Sequence, residues 1–405
     1  MNEKEFPKDL MLGTATSAFQ IEGEGYTEWK GFIGEDGTRL GNAIDHFERY
    51  KEDLEYILYL GNSYRFSPDW SRLQKSPYEK LDKETLNHYG RLFQTLKENN
   101  KKVLLVLNHF SNPLWMYRVG GWTNSSSVGF YLDYAKKLIK EFSEYIDVIN
   151  TFNEPNAYIN MAYFFRGFPP KKFSPSSRKK ALANMAKAHC LLYEYMKEKY
   201  PGIPVGISHA HMMVEAINPK NIVATLIKKF LDNIQHEKIH EFFTCKGSCV
   251  DYIGFSYYGR ILIGSFPFVA YQERGRKALD RLGINHDDMW ELYPEGIYRM
   301  LKFFHEKYNK PLIITENGTC TNDDYLRKQS LYNHLYYVKK ACDEGLPVKG
   351  YFHWSTFDNY ELNHGPSRRF GLTSVDFKSG RFERNIKDSG HYYHKIVQSN
   401  SLVEI

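Results

Sequence analysis

The chain has 405 residues, 42% of them hydrophobic and 25% charged, which excludes disorder and collagen-like structure and allows a sizeable core. The 54 Lys and Arg against 48 Asp and Glu give +6, spread along the chain, without the clustered basic face that nucleic-acid binding requires. Aromatic content is the unusual figure: 31 Tyr and 27 Phe point to a thick core or to a ligand recognised by flat faces.

The first residues, Met1 to Pro7, lack a basic segment followed by an apolar one, so no signal peptide is expected. Eight candidate strands follow, at residues 10–14, 63–67, 103–109, 147–152, 204–209, 252–257, 311–316 and 348–354. Several are apolar on consecutive residues, as strands buried on both faces are. Their most apolar run, residues 103–107, is far below the ~20 residues needed to span a bilayer, so no transmembrane segment is expected. Helical patterns lie between most strands. Tyr134, Ala135, Leu138, Phe142 and Tyr145 follow 3.6-residue spacing, with Ser125 or Ser126 placed to cap the start. Pro294 opens a helix carrying Ile297, Leu301 and Phe304. Leu331, Leu335, Val338 and Cys342 form a stripe closed by Gly345. Strands alternating with helices predict an α/β fold: one (β/α)8 TIM barrel domain over residues 1–405. The common barrel takes ~250 residues, so roughly 150 remain for enlarged βα loops at the C-terminal face. The rival architecture is a doubly wound sheet with an appended domain. Five Cys without a regular framework suit a reducing compartment, and a cytoplasmic location is expected, with the sequons at Asn124 and Asn317 unused.

In such a barrel, chemistry sits where strands run into loops at the C-terminal face. Strand four ends in Thr151-Phe152-Asn153-Glu154-Pro155, and strand seven in Ile314-Thr315-Glu316-Asn317-Gly318. A glutamate closing an apolar strand is costly if it points into the interior unpaired. Either one alone reads as a helix cap or an ion-pair partner. Two on facing strands suggest the pair that glycoside hydrolysis needs: a protonated acid for the leaving oxygen and a carboxylate beneath the anomeric carbon.

Six motifs in order then resemble glycoside hydrolase family 1, the β-glucosidase family, over nearly the whole chain. They are Gly13 to Gly23 after Phe6-Pro7; Tyr64-Arg65-Phe66-Ser67 with Trp70-Ser71-Arg72; Asn153-Glu154-Pro155; Thr315-Glu316-Asn317-Gly318; Trp354-Ser355 with Asp358-Asn359-Tyr360-Glu361; and Arg369-Phe370-Gly371-Leu372. The resemblance implies a retaining β-glycosidase, a β-glucosidase-type O-glycosyl hydrolase of carbohydrate metabolism. Its partner would be a small-molecule β-glycoside, with no cofactor and no metal. Glu154 would serve as general acid and then general base, and Glu316 as the nucleophile. Arg65 and Tyr258 would flank Glu316, keeping it ionised and oriented. The charge of Glu316 would raise the pKa of Glu154. Gln20, His109, Asn153 and Glu361 would bind sugar hydroxyls, and Trp354 would form an aromatic floor.

Two departures stand out. The family usually has Asn at the position of Ser256 and Trp at that of Leu362. The first shortens a polar support; the second removes an indole beside the sugar, which predicts a looser glycone pocket. Affinity would then lean on the aglycone side, with Trp115, Tyr158 and Phe165 as candidates. His236, His240, Cys245 and Cys249 have side chains that suit zinc, but their spacing matches no common finger, so they are read as ordinary core and surface residues. Two other functions compete. A 6-phospho-β-glycosidase would use Arg368 and His364, against which the charge of Glu361 would repel a phosphate. A non-catalytic sugar-binding barrel would not need both carboxylates.

Overall fold

The protein is described here by a computed structural model covering residues 4–233, 238–264, 269–270 and 272–405. Eight strands form its centre: β1 (Met11–Ala15), β2 (Ser63–Phe66), β3 (Lys102–Val106), β4 (Val148–Asn153), β5 (Val205–Ala216), β6 (Tyr252–Ile263), β7 (Leu312–Asn317) and β8 (Val348–Trp354). They are parallel, in the order β5-β4-β3-β2-β1-β8-β7-β6, and β5 pairs with β6 to close the ring. The architecture is a (β/α)8 barrel. No helix among the described residues is long and apolar enough to cross a membrane.

The continuous apolar runs are explained by burial on two sides. Along β3, Leu104 and Val106 join Met11, Ile313 and Phe352 inside the barrel, while Val103 and Leu105 pack outward against the helices. The same outer cluster, between strands and helices, holds Phe93, Leu138, Leu301 and Leu335 from the helices Lys83–Glu98, Ser126–Phe142, Glu295–Tyr308 and Asp324–Asp343. The last of these ends before Gly345, whose φ of 83° suits glycine. Ser125 makes no side-chain cap. Instead the Asn124 side chain accepts from the Ser126 N–H at 3.0 Å.

Each expected strand is present, with two informative differences in length. β3 stops at Val106 because Asn108 already turns the chain, donating to the Ser111 carbonyl. β5 and β6 instead run on past the expected ends, pairing Met213 with Arg260 through to Ala216 with Ile263 after a register shift. Neither extension is visible in its own strand, because each depends on the other for its hydrogen bonds.

Candidate active site

The proposed site residues lie at the C-terminal ends of seven different strands. Arg65 is in β2, His109 follows β3, Asn153 ends β4, Tyr258 lies in β6, Glu316 in β7 and Trp354 ends β8. Gln20 sits on the short helix Ala18–Glu22 after β1, and Glu361 on the loop after β8. Gly318 lets the chain leave β7 here: a Cβ on it would lie 1.9 Å from the Trp354 carbonyl oxygen.

Glu316 is held on both oxygens. Arg65 Nη1 donates to Oε1 at 2.7 Å and the Tyr258 hydroxyl to Oε2 at 2.8 Å. Charge-assisted donors of this kind are the strong ones, and here they fix the carboxylate's orientation. Burial, followed by the charges of Glu316 and Glu154, raises Tyr258 well above the usual phenol range, so it remains a donor. Arg65 Nη2 also donates to Asn153 Oδ1 at 2.6 Å, and Asn153 Nδ2 then donates to His109 Nε2 at 2.9 Å. Burial, helped by Arg65, lowers the His109 pKa well below 6.5, so the ring is neutral. Its Nδ1 is buried without a hydrogen-bond partner.

Glu154 has a different environment. Its backbone is left-handed (φ 42°) at the start of the helix Pro155–Tyr163, and its N–H donates to the Ser208 carbonyl at 2.8 Å. Burial raises its pKa to about 8, with the charge of Glu316 second; a hydrogen bond with Ser256 and the charge of Arg65 oppose the shift. The raised pKa read from the sequence is therefore present, but burial contributes more than charge. Glu361 is also raised to about 8, again by burial first. Its Oε2 accepts from Gln20 Nε2 at 3.2 Å and from the Trp354 indole at 3.3 Å. The site thus joins one anchored carboxylate, Glu316, to two carboxyls, Glu154 and Glu361, that burial holds protonated near neutral pH.

A model of glycosyl hydrolase family 1 matches residues 2–248 and 229–402. The chain belongs to glycosyl hydrolase family 1. Among the family members it resembles is beta-glucosidase A of Thermotoga maritima, 29% identical over 99% of this chain and 100% of that protein. A 6-phospho-beta-galactosidase of Clostridium acetobutylicum is 26% identical, covering 98% of each. The solved beta-glycosidase from Pyrococcus horikoshii superposes with a TM-score of 0.87 at 30% identity, over 99% of this chain and 96% of that one.

Several supports in this family 1 chain were not assigned from the sequence. Ser17 Oγ donates to Gln20 Oε1 at 2.7 Å, and Asn359 Oδ1 accepts from Gln20 Nε2 at 3.1 Å. Both lie inside the quoted motifs, but only the fold shows that they orient Gln20. Trp290 packs on Tyr258 with ring centres 4.9 Å apart, and no sequence pattern marked it. Of the aglycone candidates, Phe165 is exposed beside Phe164 and Phe173. Tyr158 is buried against Asn112, and Trp115 packs on Trp70 and Phe130 in the helix layer. Leu362 is buried with φ 47° and groups with the outer apolar cluster that contains Trp29 and Phe168, apart from the one that contains Trp354 and Phe370.

Proposed function

We propose that the chain, acting as one barrel domain, is a retaining β-glycosidase that hydrolyses β-glucosides and related β-glycosides. The observation that carries the reading is the contrast between the two glutamates: Glu316 anchored by Arg65 and Tyr258, Glu154 buried with a pKa of about 8. In the first step Glu316 attacks the anomeric carbon while Glu154 protonates the departing oxygen. In the second, Glu154 takes a proton from water, which displaces Glu316 from the sugar. The glycosyl-enzyme forms and breaks in two inversions, so configuration is retained. The carboxyl groups should then stand about 5–5.5 Å apart.

Gln20, Glu361, Asn153 and His109 supply hydrogen-bonding groups for sugar hydroxyls, the buried Nδ1 of His109 being without a protein partner. Trp354 supplies a flat face beside His109, with ring centres 5.6 Å apart. A second reading, 6-phospho-β-glycosidase, is favoured by the Clostridium relative and by Arg368, whose buried Nε has no partner. His364 fits it less well, being bound to Glu35 at 2.9 Å. A Glu361 that holds its proton also weakens the repulsion of a phosphate.

The deciding experiment uses Glu316→Ala and Glu154→Ala with aryl β-glucosides and 6-phospho-β-glycosides. Glu316→Ala should lose turnover of every substrate. Glu154→Ala should lose roughly 10²–10⁴-fold on poor leaving groups and far less on dinitrophenolate. Azide should give the α-glycosyl azide with the first variant and the β-glycosyl azide with the second; the same anomer from both would refute the assignment. Faster hydrolysis of the phosphorylated substrates by the unmodified protein would select the second reading, and no hydrolysis of any would leave a sugar-binding barrel.

A further inference from the structure

Three of the five cysteines converge on the face of the barrel opposite the glutamates. Cys190 projects from the helix Pro175–Lys199; Cys245 and Cys249 lie in the turn between the helix Ile239–Phe243 and β6. Their sulfurs all lie within 4.8 Å of one another, and Cys190 Sγ is 3.0 Å from Cys245 Sγ. Cys245 is exposed and the other two are partly buried, so the cluster is open to solvent on one side. Cys249 lies just before Val250, Asp251 and the start of β6 at Tyr252, whereas Tyr258 lies further along the strand. At ~3.3 Å per residue this puts the cluster roughly 20 Å or more from the catalytic pair.

The turn is shaped around the sulfurs. Cys245, Lys246 and Gly247 take consecutive left-handed conformations, with φ of 48°, 58° and 89°. Thr244 ties the turn by accepting from the Gly247 N–H at 2.9 Å on Oγ1 and from the Cys249 N–H at 3.0 Å on its carbonyl. Non-glycine residues at positive φ carry a conformational cost, which here accompanies a geometry that aims two side chains at a third. His240, grouped with Cys245 and Cys249 on sequence, turns inward instead: its Nδ1 is 3.3 Å from His209 Nδ1. Cys190, 55 residues away in sequence from Cys245, takes its place. His236 lies outside the described residues.

We propose that Cys190, Cys245 and Cys249 form a binding site for a thiophilic d¹⁰ cation of the zinc class, with water as the fourth ligand. Zinc–sulfur bonds of about 2.3 Å in a tetrahedron set sulfurs about 3.8 Å apart, within the observed range of spacings. The Cys245–Cys249 interval matches the C-x₂₋₄-C spacing of structural zinc sites, and the third ligand arrives from a packed helix. Each ligating thiol releases its proton to solvent, and the cation balances thiolates that would otherwise repel one another. Bound there, the ion fastens the turn before β6 to the helix Pro175–Lys199, away from the sugar.

The test uses the reduced full-length protein, loaded with Zn²⁺ and passed through gel filtration, with metal measured by mass spectrometry. About one zinc per chain is expected, and Cd²⁺ in its place should give a thiolate-to-metal charge-transfer band. Cys245→Ser should weaken both signals, and the triple serine variant should abolish them. Cys320→Ser with Cys342→Ser should retain them, and hydrolysis of an aryl β-glucoside by Cys245→Ser should match the unmodified protein. Because Cys245 is exposed, its single variant keeps the test informative if the triple variant does not fold. Zinc that is not retained, or is retained equally by Cys245→Ser and the triple variant, overturns the proposal. So does a Cys190–Cys245 disulfide in air-isolated protein whose reduced form retains no zinc, which would make the pair a redox couple.

Discussion

Glu154 shows at the scale of one residue how two unfavourable features combine into a usable one. Its left-handed backbone costs of order 1–3 kcal/mol and is held by the Ser208 carbonyl and by Pro155 beginning the next helix. Its burial works against the charged form, which leaves a proton available near neutral pH. With a pKa of about 8, kcat/KM for a substrate that needs protonation should stay level up to roughly that pH and fall above it. A second expectation separates the causes. Glu316→Gln removes a charge that raises the pKa, so Glu154 should titrate lower in that variant, as read by NMR of labelled glutamate side chains. A titration that does not move would leave burial as the whole cause. Asn153-Glu154-Pro155 singled this residue out in the sequence; the ranking of burial over charge was not legible there, because burial is set by neighbours distant in sequence.

Loops decide more than strands at the scale of elements. The segment carrying Glu361 is fastened to the loop after β1: the Glu35 N–H donates to the Asn363 carbonyl at 2.7 Å, and Asn363 Nδ2 to Glu35 Oε1 at 2.8 Å. Tyr360 adds a bond to the Thr38 carbonyl at 2.8 Å. Leu362 lies within this tied segment, buried among apolar side chains. Its filled surroundings argue against the looser pocket expected from the loss of an indole. Inserting one there should overpack the loop at a cost of ~1–3 kcal/mol. Leu362→Trp should therefore melt lower and lose kcat/KM to a similar extent on aryl β-glucoside, β-galactoside and β-fucoside. A gain confined to the glucoside would show instead that the indole reaches empty space beside the sugar. The departure from the family's residue was plain in the sequence, but its direction depended on which cluster Leu362 joins.

Stability of the whole molecule should carry the imprint of its buried titratable groups. Burial raises Glu22 to about 7, and Glu154 and Glu361 to about 8, from an ordinary value of 4.5. Between about pH 4.5 and 8 the folded chain thus holds more of these protons than the unfolded one, and their contribution falls as pH rises. Buried histidines act in the other direction. His189 and His334 are lowered to about 4, and His240 and His353 to about 3, so the unfolded chain takes up protons first as pH drops below 6.5. Thermal scans should show a broad maximum near pH 5–6.5, with Tm declining toward pH 8.5 and below pH 4.5. Glu154→Gln removes one alkaline penalty, so its Tm should exceed that of the unmodified protein at pH 8.5, with the gap narrowing at pH 5. The reverse order at pH 8.5 would rule out Glu154 as a source of the alkaline decline.

The sequence by itself made the barrel legible and marked Glu154 and Glu316 as the candidate pair. Apolar runs buried on both faces, spaced by helical stripes, point to a parallel sheet, and the motifs around two strand-end glutamates resemble those of the family. Those features are local, written in consecutive residues. Tertiary structure alone decided the rest: the paired extension of β5 and β6, the orienting of Gln20 by Ser17 and Asn359, the place of Trp290 against Tyr258, and the meeting of Cys190 with Cys245 and Cys249. Most of these join residues far apart along the chain, and where two partners share a motif or spacing, as Ser17 with Gln20 and Cys245 with Cys249 do, the sequence does not show which groups meet. The long-range contacts among them exist only once the ring of strands has closed and brought distant loops together.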